Sequence, residues 1–310
     1  MKKILFFSFI FLILILFLVQ FFWQGIFVPK DSKGAGKEVV FIVKKGENVF
    51  EIGEKLEKEG LIENKIFFDF YILLQRKEKD LKAGKYLLSS EMSVSQIAQK
   101  IIEGKIAQMK ITIPEGFSVK DIENLLNLDL PDELEGYLFP DTYYFSINPT
   151  SEEVVQKMRE NFNSKISPYR EEIEKSGKTL EEIIIMASLI EKEVFNTKEC
   201  PNCKNLVSGI LWKRIKNKIP LQVDATITYI TGKKTTKISL EDTKIDHPYN
   251  TYKYLGLPPG PICNPGLESI LAALRPEESE YWYYLTTREG KVIFSKTFQE
   301  HIFAKAKYLY

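Results

Sequence analysis

Two glutamates stand two residues apart at the end of a strongly apolar segment. Glu191 and Glu193 follow Ile183–Ile190, where every residue is apolar or small. A carboxylate that extends a buried helix face is desolvated, which raises its pKa and favours its protonated form. A carboxyl that stays protonated near neutral pH is what a general acid requires. The segment therefore predicts an acid catalyst, and the alternative is a helix that reaches the surface here with a solvated polar end.

The helix that would carry these glutamates has a clear start. Thr179 is followed three residues later by Glu182, the pattern of a capping box. We therefore expect a helix from Leu180 onward that is buried on all sides along Ile183–Ile190.

Two downstream stretches, 220–229 and 245–266, are rich in small, polar and cyclic residues. The four prolines between positions 258 and 265 exclude a helix or a central strand there. Ordered loops that contain Gln, Asn and Tyr often line a site. We expect both stretches to be loops above the buried helix, and a rigid surface connection is the alternative.

The composition excludes several classes of protein. Lys and Arg total 43 against 42 Asp and Glu, so the net charge of +1 argues against a nucleic-acid binder. A hydrophobic share of 44% is enough to fill a core over 310 residues. Three cysteines exclude a disulfide scaffold, and two histidines leave little for a metal centre.

The N-terminus carries a long apolar run. Ile4–Val19 is interrupted only by Ser8 and continues to Trp23, and about 20 apolar residues span a hydrocarbon core of roughly 30 Å. A cleaved signal peptide is the alternative, but the run is longer than a usual signal core and no small-residue cleavage site follows it. We predict an uncleaved single-pass anchor over residues 1–29, followed by a linker over 30–38.

Charge leaves the orientation of this anchor open. Lys2 and Lys3 favour a cytoplasmic N-terminus, but Lys30, Lys33 and Lys37 follow the other end. The small number of cysteines is compatible with a body outside the cytoplasm.

A strand followed by a capped helix recurs three times after the linker. The predicted strands are 39–43, 84–88 and 109–113, and the predicted helix N-caps are Asn48, Ser93 and Ser118. Strand–helix units of this size resemble glycan-binding LysM modules, so we interpret residues 39–106 as a LysM-like subdomain. A purely structural spacer is the alternative.

The rest of the chain predicts a mixed α+β domain over 107–310. A surface helix is expected at 152–162 and a terminal amphipathic helix at 295–310. Residues 281–285 and 292–294 are expected to form a hairpin around Glu289-Gly290.

Seven segments, in order along the chain, resemble motifs of the endolytic murein transglycosylases of the MltG/YceG-like family. They are IPEGFS at 113–118, EGYLFPDTYYF at 135–145, ASLIEKEV at 187–194, PLQVDATITY at 220–229, DHPYNTY at 246–252, GLPPGPICNPG at 256–266 and VIFSKTFQEH at 292–301.

This resemblance implies an α+β lytic enzyme held in the plasma or inner membrane, with its body on the extracytoplasmic side. It implies cleavage of the MurNAc–GlcNAc β-1,4 bond in nascent peptidoglycan, which leaves a 1,6-anhydro-MurNAc end. The implied partners are glycan strands, the membrane and peptidoglycan synthases, without nucleic acid, metal or organic cofactor.

The resemblance also assigns roles to residues. It implies that the catalytic residue is Glu191, the first glutamate of the E-K-E sequence. The residues implied to position the glycan or orient the catalytic glutamate are Gln222, Asp224, Asn250 and Tyr252, and we add Glu193 as a candidate substrate-binding residue whose role the sequence leaves open.

A lytic transglycosylase can use a single carboxyl group, because the nucleophile is the C6 hydroxyl of the substrate itself. Glu191 would protonate the leaving glycosidic oxygen and its carboxylate would then accept the C6 proton. An ordinary glycosidase needs two carboxylates.

Cys200 and Cys203 form a C-x-x-C sequence that departs from the family pattern. A zinc site would need a second pair of ligands, which Cys263 alone does not supply. We expect a local disulfide between Cys200 and Cys203, and a small buried residue at Cys263.

Two other classes of function compete with the enzyme described above. One is a cysteine peptidase with Cys263 as nucleophile and His247 or His301 as base. The other is a non-catalytic anchored scaffold that binds glycan within the machinery of cell-wall synthesis.

Overall fold

The computed structural model describes residues 2–31, 37–194, 200–233 and 238–309. Their contacts divide the chain into two compact units. Unit 1 comprises residues 1–109 and 144–148, and unit 2 comprises residues 110–143 and 149–310.

Helix α1 (Lys2–Phe27) contains the predicted apolar run. Its segment Phe6–Phe27 has 22 residues and is long and apolar enough to cross a membrane. At 1.5 Å per residue this segment extends about 33 Å, the thickness of a hydrocarbon core. Length and composition therefore support an anchor, although a signal sequence has the same properties.

Unit 1 continues with two strands and three helices: β1 (Val39–Val43), α2 (Val49–Lys58), α3 (Lys65–Gln75), β2 (Gly84–Leu88) and α4 (Val94–Glu103). Strands β1 and β2 pair antiparallel, with Val39 opposite Leu88. The side chains at the centre of this unit are fully buried and include Phe41, Ile52, Leu56, Phe68 and Ile97. Helix α3 was not expected from the sequence.

The three predicted N-caps are confirmed. The side chains of Asn48, Ser93 and Ser118 each accept a hydrogen bond from a backbone N–H of the following helix. The third of these helices is α5 (Val119–Leu126), which follows strand β3 (Gln108–Thr112).

Strand β3 pairs with β4 (Thr142–Ser146). Unit 2 then contains α6 (Ser151–Ile166), α7 (Arg170–Lys175), α8 (Leu180–Glu193), α9 (Cys203–Lys216), α10 (Asp224–Thr231), α11 (Leu267–Leu274), β5 (Tyr283–Thr286), β6 (Val292–Ser295) and α12 (Phe298–Tyr308). The predicted hairpin is confirmed, since β5 and β6 pair antiparallel. Helix α6 confirms the predicted surface helix, and α12 lies within the predicted terminal helix.

Helix α8 lies at the centre of unit 2. Its capping box between Thr179 and Glu182 is present, and every residue of Ile183–Ile190 is buried. Helices α9, α10 and α11 all pack against it. The prediction of a buried helix that ends in two carboxylates is therefore confirmed.

The prediction of a loop over 220–229 is wrong in part, because α10 begins at Asp224. Its polar residues fit a helix because their hydroxyls bond to backbone carbonyls of the preceding turn, as Thr226 does to Val223 (2.8 Å) and Thr231 to Ile227 (2.9 Å). Residues 245–266 contain no α-helix or strand, as the prolines predict.

Candidate active site

Glu191 and Glu193 occupy the last turn of α8 and face different neighbours. Successive residues of a helix are rotated by about 100°, so the two side chains leave the helix in directions about 200° apart. Each carboxyl group therefore belongs to a separate group of side chains.

The carboxyl group of Glu191 receives two hydrogen bonds on one oxygen. The Ser269 hydroxyl donates to Oε2 at 2.6 Å and the Gly266 backbone N–H donates to the same atom at 3.0 Å. Gly266 is the N-cap residue of α11, so the carboxyl group also lies at the positive end of that helix. These contacts fix the orientation of the Glu191 side chain, of which only 8% is exposed.

The other oxygen of Glu191 faces a buried lysine. Lys204 Nζ lies 3.7 Å from Glu191 Oε1 and 3.0 Å from Glu268 Oε2, and the Lys204 side chain is only 4% exposed. A buried ammonium group needs such partners, because an unpaired charge in the interior is costly. We call Glu191, Lys204, Gly266, Glu268 and Ser269 the Glu191 cluster.

Besides α8, α9 and α11, the segment 114–117 also contacts the Glu191 cluster, at its glycine. Gly116 has a φ of +79°, and a Cβ atom placed there would lie 3.6 Å from Cγ of Glu191. Two backbone hydrogen bonds hold this segment, from Gly116 N–H to the Asn264 carbonyl (2.9 Å) and from Asn264 N–H to the Phe117 carbonyl (2.8 Å). Glu115 therefore lies beside the cluster.

Asn264 also ties a buried carboxyl group to this segment. Its side-chain Nδ2 donates to the Phe117 carbonyl at 3.0 Å and to Glu135 at 3.3 Å, and Glu135 accepts from the Val119 N–H. Burial raises the pKa of Glu135 to about 7.

Glu193 belongs to a second group, which we call the Glu193 cluster: Glu193, Asp224, Tyr252 and Tyr284. The Glu193 carboxyl is hydrogen-bonded to the Tyr284 hydroxyl and lies near the Asp224 carboxylate. Burial, and then the charge of Asp224, raise the pKa of Glu193 to about 7. The raised pKa that the sequence predicts at the end of this helix is thus found at Glu193.

Gln222, Tyr252 and Asp224, the first residue of α10, lie close to one another. Tyr252 donates its hydroxyl to Asp224 Oδ1, and the buried Arg214 donates Nη2 to Gln222 Oε1 at 2.7 Å. Gln222 and Asp224 are exposed, while Tyr252 is half-buried. This surface offers amide, carboxylate and phenol groups to a ligand.

Asn250 has a different environment, because it is fully buried. Its Nδ2 donates to the carbonyls of Thr243 (3.0 Å) and Ile245 (2.7 Å), and its Oδ1 accepts from the Tyr252 N–H (2.9 Å). These bonds hold the loop that carries Tyr252.

Sequence reasoning did not single out Lys204, Ser269, Glu115 or Glu135. A signal existed for Lys204, which shares a helix face with the buried Ser208 and Leu211. A lysine on an otherwise buried face needs an acidic partner. Glu115 and Glu135 lie within the family-like segments 113–118 and 135–145, which is a signal of another kind, and Ser269 carries no local signal.

The cysteines behave as structural residues. Cys200 and Cys203 are joined by a disulfide, as expected. Cys263 is fully buried and donates its thiol to the Ser188 carbonyl at 3.4 Å. Burial raises its pKa, the opposite of what a nucleophilic thiol requires. Within the ranges that the structure describes, no group of three or more His, Cys, Asp or Glu side chains could hold a metal ion.

Comparisons with known proteins place the sequence among described relatives. Residues 41–307 match the YceG-like family. The chain is 33% identical over 321 aligned residues to an endolytic murein transglycosylase of Bacillus subtilis, covering 91% of this chain and 87% of that protein. A Streptococcus pneumoniae protein of the same name is 30% identical over 88% of this chain, which spans 59% of that protein's length.

A solved structure is similar as well. The crystal structure of a YceG-like protein from Listeria monocytogenes aligns with a TM-score of 0.57 and 33% identity. The alignment covers 87% of this chain and all of that one.

Proposed function

This chain belongs to the YceG-like family, and from that premise we propose that it is a membrane-anchored endolytic lytic transglycosylase of peptidoglycan. The proposed reaction breaks the β-1,4 bond between MurNAc and GlcNAc in nascent glycan strands and leaves 1,6-anhydro-MurNAc ends. Such an enzyme is a lyase. The observation that carries the proposal is Glu191, a carboxyl oriented by Ser269 and Gly266 at the end of a buried helix.

In the first step Glu191 protonates the glycosidic oxygen as the C1–O4 bond breaks. Because Ser269 and Gly266 both donate to Oε2, the proton of the neutral acid belongs on Oε1. When the proton leaves, the carboxylate that forms is stabilised by these two donors and by the Lys204 ammonium group.

In the second step the C6 hydroxyl of MurNAc attacks C1 and forms the O6–C1 bond of the anhydro ring. The C6 proton returns to the carboxylate of Glu191 in the single-carboxyl scheme, which restores the acid. The nucleophile is part of the substrate, so water is not consumed.

The glycan is positioned by the polar surface beside the helix end. We assign this role to the exposed Gln222 and Asp224 and to Tyr252, whose groups can bond to sugar hydroxyls and acetamido groups. We assign Glu193 the task of holding the Tyr284 hydroxyl beside Asp224, because its carboxyl is hydrogen-bonded to that hydroxyl and lies near the Asp224 carboxylate. We assign Asn250 the task of holding the Tyr252 loop, because its polar atoms are buried and already bonded.

We place the catalytic body outside the cytoplasm, with α1 as the anchor. We also propose that unit 1 contacts glycan as a LysM-like subdomain. The order β1, α2, α3, β2 with an antiparallel strand pair supports this assignment.

Product analysis tests the proposal. Full-length protein in detergent is incubated with defined, uncrosslinked glycan strands, and the products are identified by mass spectrometry. Wild type should release strands with 1,6-anhydro ends, and Glu191→Gln should be slower by about 10²–10⁴-fold, since the amide is not acidic enough to transfer a proton to the leaving oxygen.

Glu181→Gln is the matched control, because Glu181 is exposed in the first turn of the same helix. It should keep wild-type activity. Reducing ends instead of anhydro ends, or undiminished activity in Glu191→Gln, would contradict the proposal. Full complementation of a deletion strain by the inactive variant would favour the scaffold function.

A further inference from the structure

A second carboxyl group lies beside Glu191 on the side open to solvent. Glu115 is exposed, whereas the Glu191 side chain is 8% exposed. Both carboxyl groups meet at Gly266: its N–H donates to Glu191, and a Cβ atom placed on Gly266 would lie 2.0 Å from Glu115 Oε1. Both carboxyl groups thus contact the same residue.

The Glu115 carboxyl group closely approaches the Cα atom of Gly266. Gly266 has φ −72° and ψ 165°, an extended conformation that any residue adopts. A Cβ atom at this position would therefore meet only the carboxyl end of Glu115, a flexible side chain that can turn aside. This contact brings the Glu115 carboxyl group to the residue whose N–H donates to Glu191.

Glu115 is also held in place by its backbone. The following residue, Gly116, is bonded to the Asn264 carbonyl and lies against Glu191, and Phe117 accepts from Asn264 N–H. The backbone from which the Glu115 side chain projects is therefore held beside the end of α8.

Electrostatics couple the two carboxyl groups. Although the Glu115 residue as a whole is exposed, its carboxyl group is partly desolvated by its neighbours; this desolvation, and then the nearby Glu191 carboxylate, raise the pKa of Glu115, while Lys204 lowers it. The charged groups that face Glu115 are Glu191 from α8, Lys204 from α9 and Glu268 from α11. A carboxylate with a raised pKa is a stronger base than an ordinary one.

We propose that Glu115 is a second catalytic carboxyl group, the base that accepts the C6 proton while Glu191 protonates the leaving oxygen. This assignment rests on the proposed transglycosylase function and replaces the single-carboxyl scheme for the second step. The C1–O4 bond breaks and the O6–C1 bond forms. The Glu191 proton goes to O4 and the C6 proton goes to Glu115.

The site then returns to its starting state by one proton transfer. Glu115 holds the C6 proton and Glu191 is ionised, so a proton moves from Glu115 to Glu191, directly or through one water molecule. No atom of the enzyme is consumed. With two carboxyl groups, neither has to reach both O4 and O6 within one turnover.

The test measures kcat over a range of pH with the full-length protein in detergent. A base that must be ionised gives the profile an acidic limb. Glu115→Gln should lower kcat by about 10–10³-fold and abolish that limb, whereas Glu115→Asp should keep it. Glu181→Gln should have the wild-type profile.

A small external base distinguishes a catalytic role of Glu115 from a structural one. Formate added to Glu115→Ala should restore activity several-fold, because it can occupy the vacated space and accept the proton. A wild-type kcat in Glu115→Gln overturns the assignment. So does a lowered kcat with an unchanged pH profile and no rescue by formate, which would show a merely structural role.

The two proposals fail in different ways. Suppose that wild type releases anhydro ends, Glu191→Gln is inactive and Glu115→Gln is unaffected. That result refutes only the role of Glu115 as the base and leaves the transglycosylase function intact. If wild type releases no anhydro ends, the transglycosylase function itself is refuted.

Discussion

Glu191 and Glu193 are separated by one lysine, yet the fold gives them different surroundings. Glu191 meets a hydroxyl, a backbone N–H and an ammonium group. Glu193 meets a phenol and lies near a second carboxylate, and its pKa is raised to about 7. An amino-acid sequence shows that both carboxyls end a buried helix, but their environments depend on residues from other elements.

The raised pKa values predict how stability depends on pH. Glu193 and Glu135 both have pKa values near 7 in the folded protein, against an ordinary value of 4.5. Between these two values the folded chain binds more protons than the unfolded chain, so the free energy of unfolding falls as pH rises. We expect the thermal midpoint to fall between about pH 4.5 and pH 7 on account of these groups.

Glu193→Gln and Glu135→Gln should each reduce the fall of the thermal midpoint between pH 4.5 and pH 7. Each variant should therefore have a higher thermal midpoint than wild type at pH 8. The amide stays neutral, and its oxygen can still accept the N–H or hydroxyl that the carboxyl accepted. Calorimetry at several pH values measures the effect, with Glu181→Gln as control. If the thermal midpoint changed with pH in the same way in wild type and in both variants, the pKa values of these two carboxyl groups would not be raised.

At the scale of elements, the stretch 245–266 is long but internally bonded. This stretch has no helix or strand to pair its backbone groups. The Asn250 side chain does so instead, because its three hydrogen bonds satisfy two carbonyls and the Tyr252 N–H inside the protein. The position of Tyr252 beside Asp224 therefore depends on Asn250.

Asn250→Ala should lower the free energy of unfolding by about 1–3 kcal/mol, because it leaves buried backbone groups without partners. Asn250→Asp should be worse, since a carboxylate has no N–H to offer and its charge would face two carbonyl oxygens. Denaturant unfolding should give the highest free energy of unfolding for wild type, a lower one for Asn250→Ala and the lowest for Asn250→Asp. Asn217→Ala, at an exposed asparagine, should change stability by less than about 0.5 kcal/mol. Equal stability of the Ala and Asp variants would contradict this role.

The elements that were predicted well have local signals. Capping residues identify the starts of α2, α4, α5 and α8, and the Glu289-Gly290 turn identifies the last hairpin. Helix α10 lacks a side-chain cap and is rich in threonine. Its helical state depends on burial against α8, so local propensity misses it.

At the scale of the molecule, the end of α1 is part of unit 1. Ile26 is 4% exposed, and a Cβ atom on Gly25 would lie 2.4 Å from the Phe67 ring of α3. The centroids of the Phe22 and Phe70 rings lie 4.4 Å apart. The apolar helix is therefore packed directly onto the first unit and is not joined to it only through the linker.

Ile26→Ala should destabilise unit 1 by about 2–5 kcal/mol, the usual cost of removing a buried isoleucine side chain. Ile13→Ala is the matched control, because Ile13 lies in the same helix and is 50% exposed. Hydrogen exchange of the full-length protein in detergent should show faster exchange in α3 for Ile26→Ala only. Equal exchange in the two variants would show that α1 does not support this unit.

Features that depend on neighbours along the chain could be predicted from the amino-acid sequence: the apolar N-terminal run, the capped helices, the final hairpin and the pattern of a glutamate ending a buried helix. Which side chains surround that glutamate depends on the three-dimensional fold. Ser269 and Gly266 stand 78 and 75 residues away from Glu191 along the chain, and Glu115 precedes it by a similar distance. Contacts of this kind arise from the packing of α9 and α11 on α8, and no local pattern encodes them.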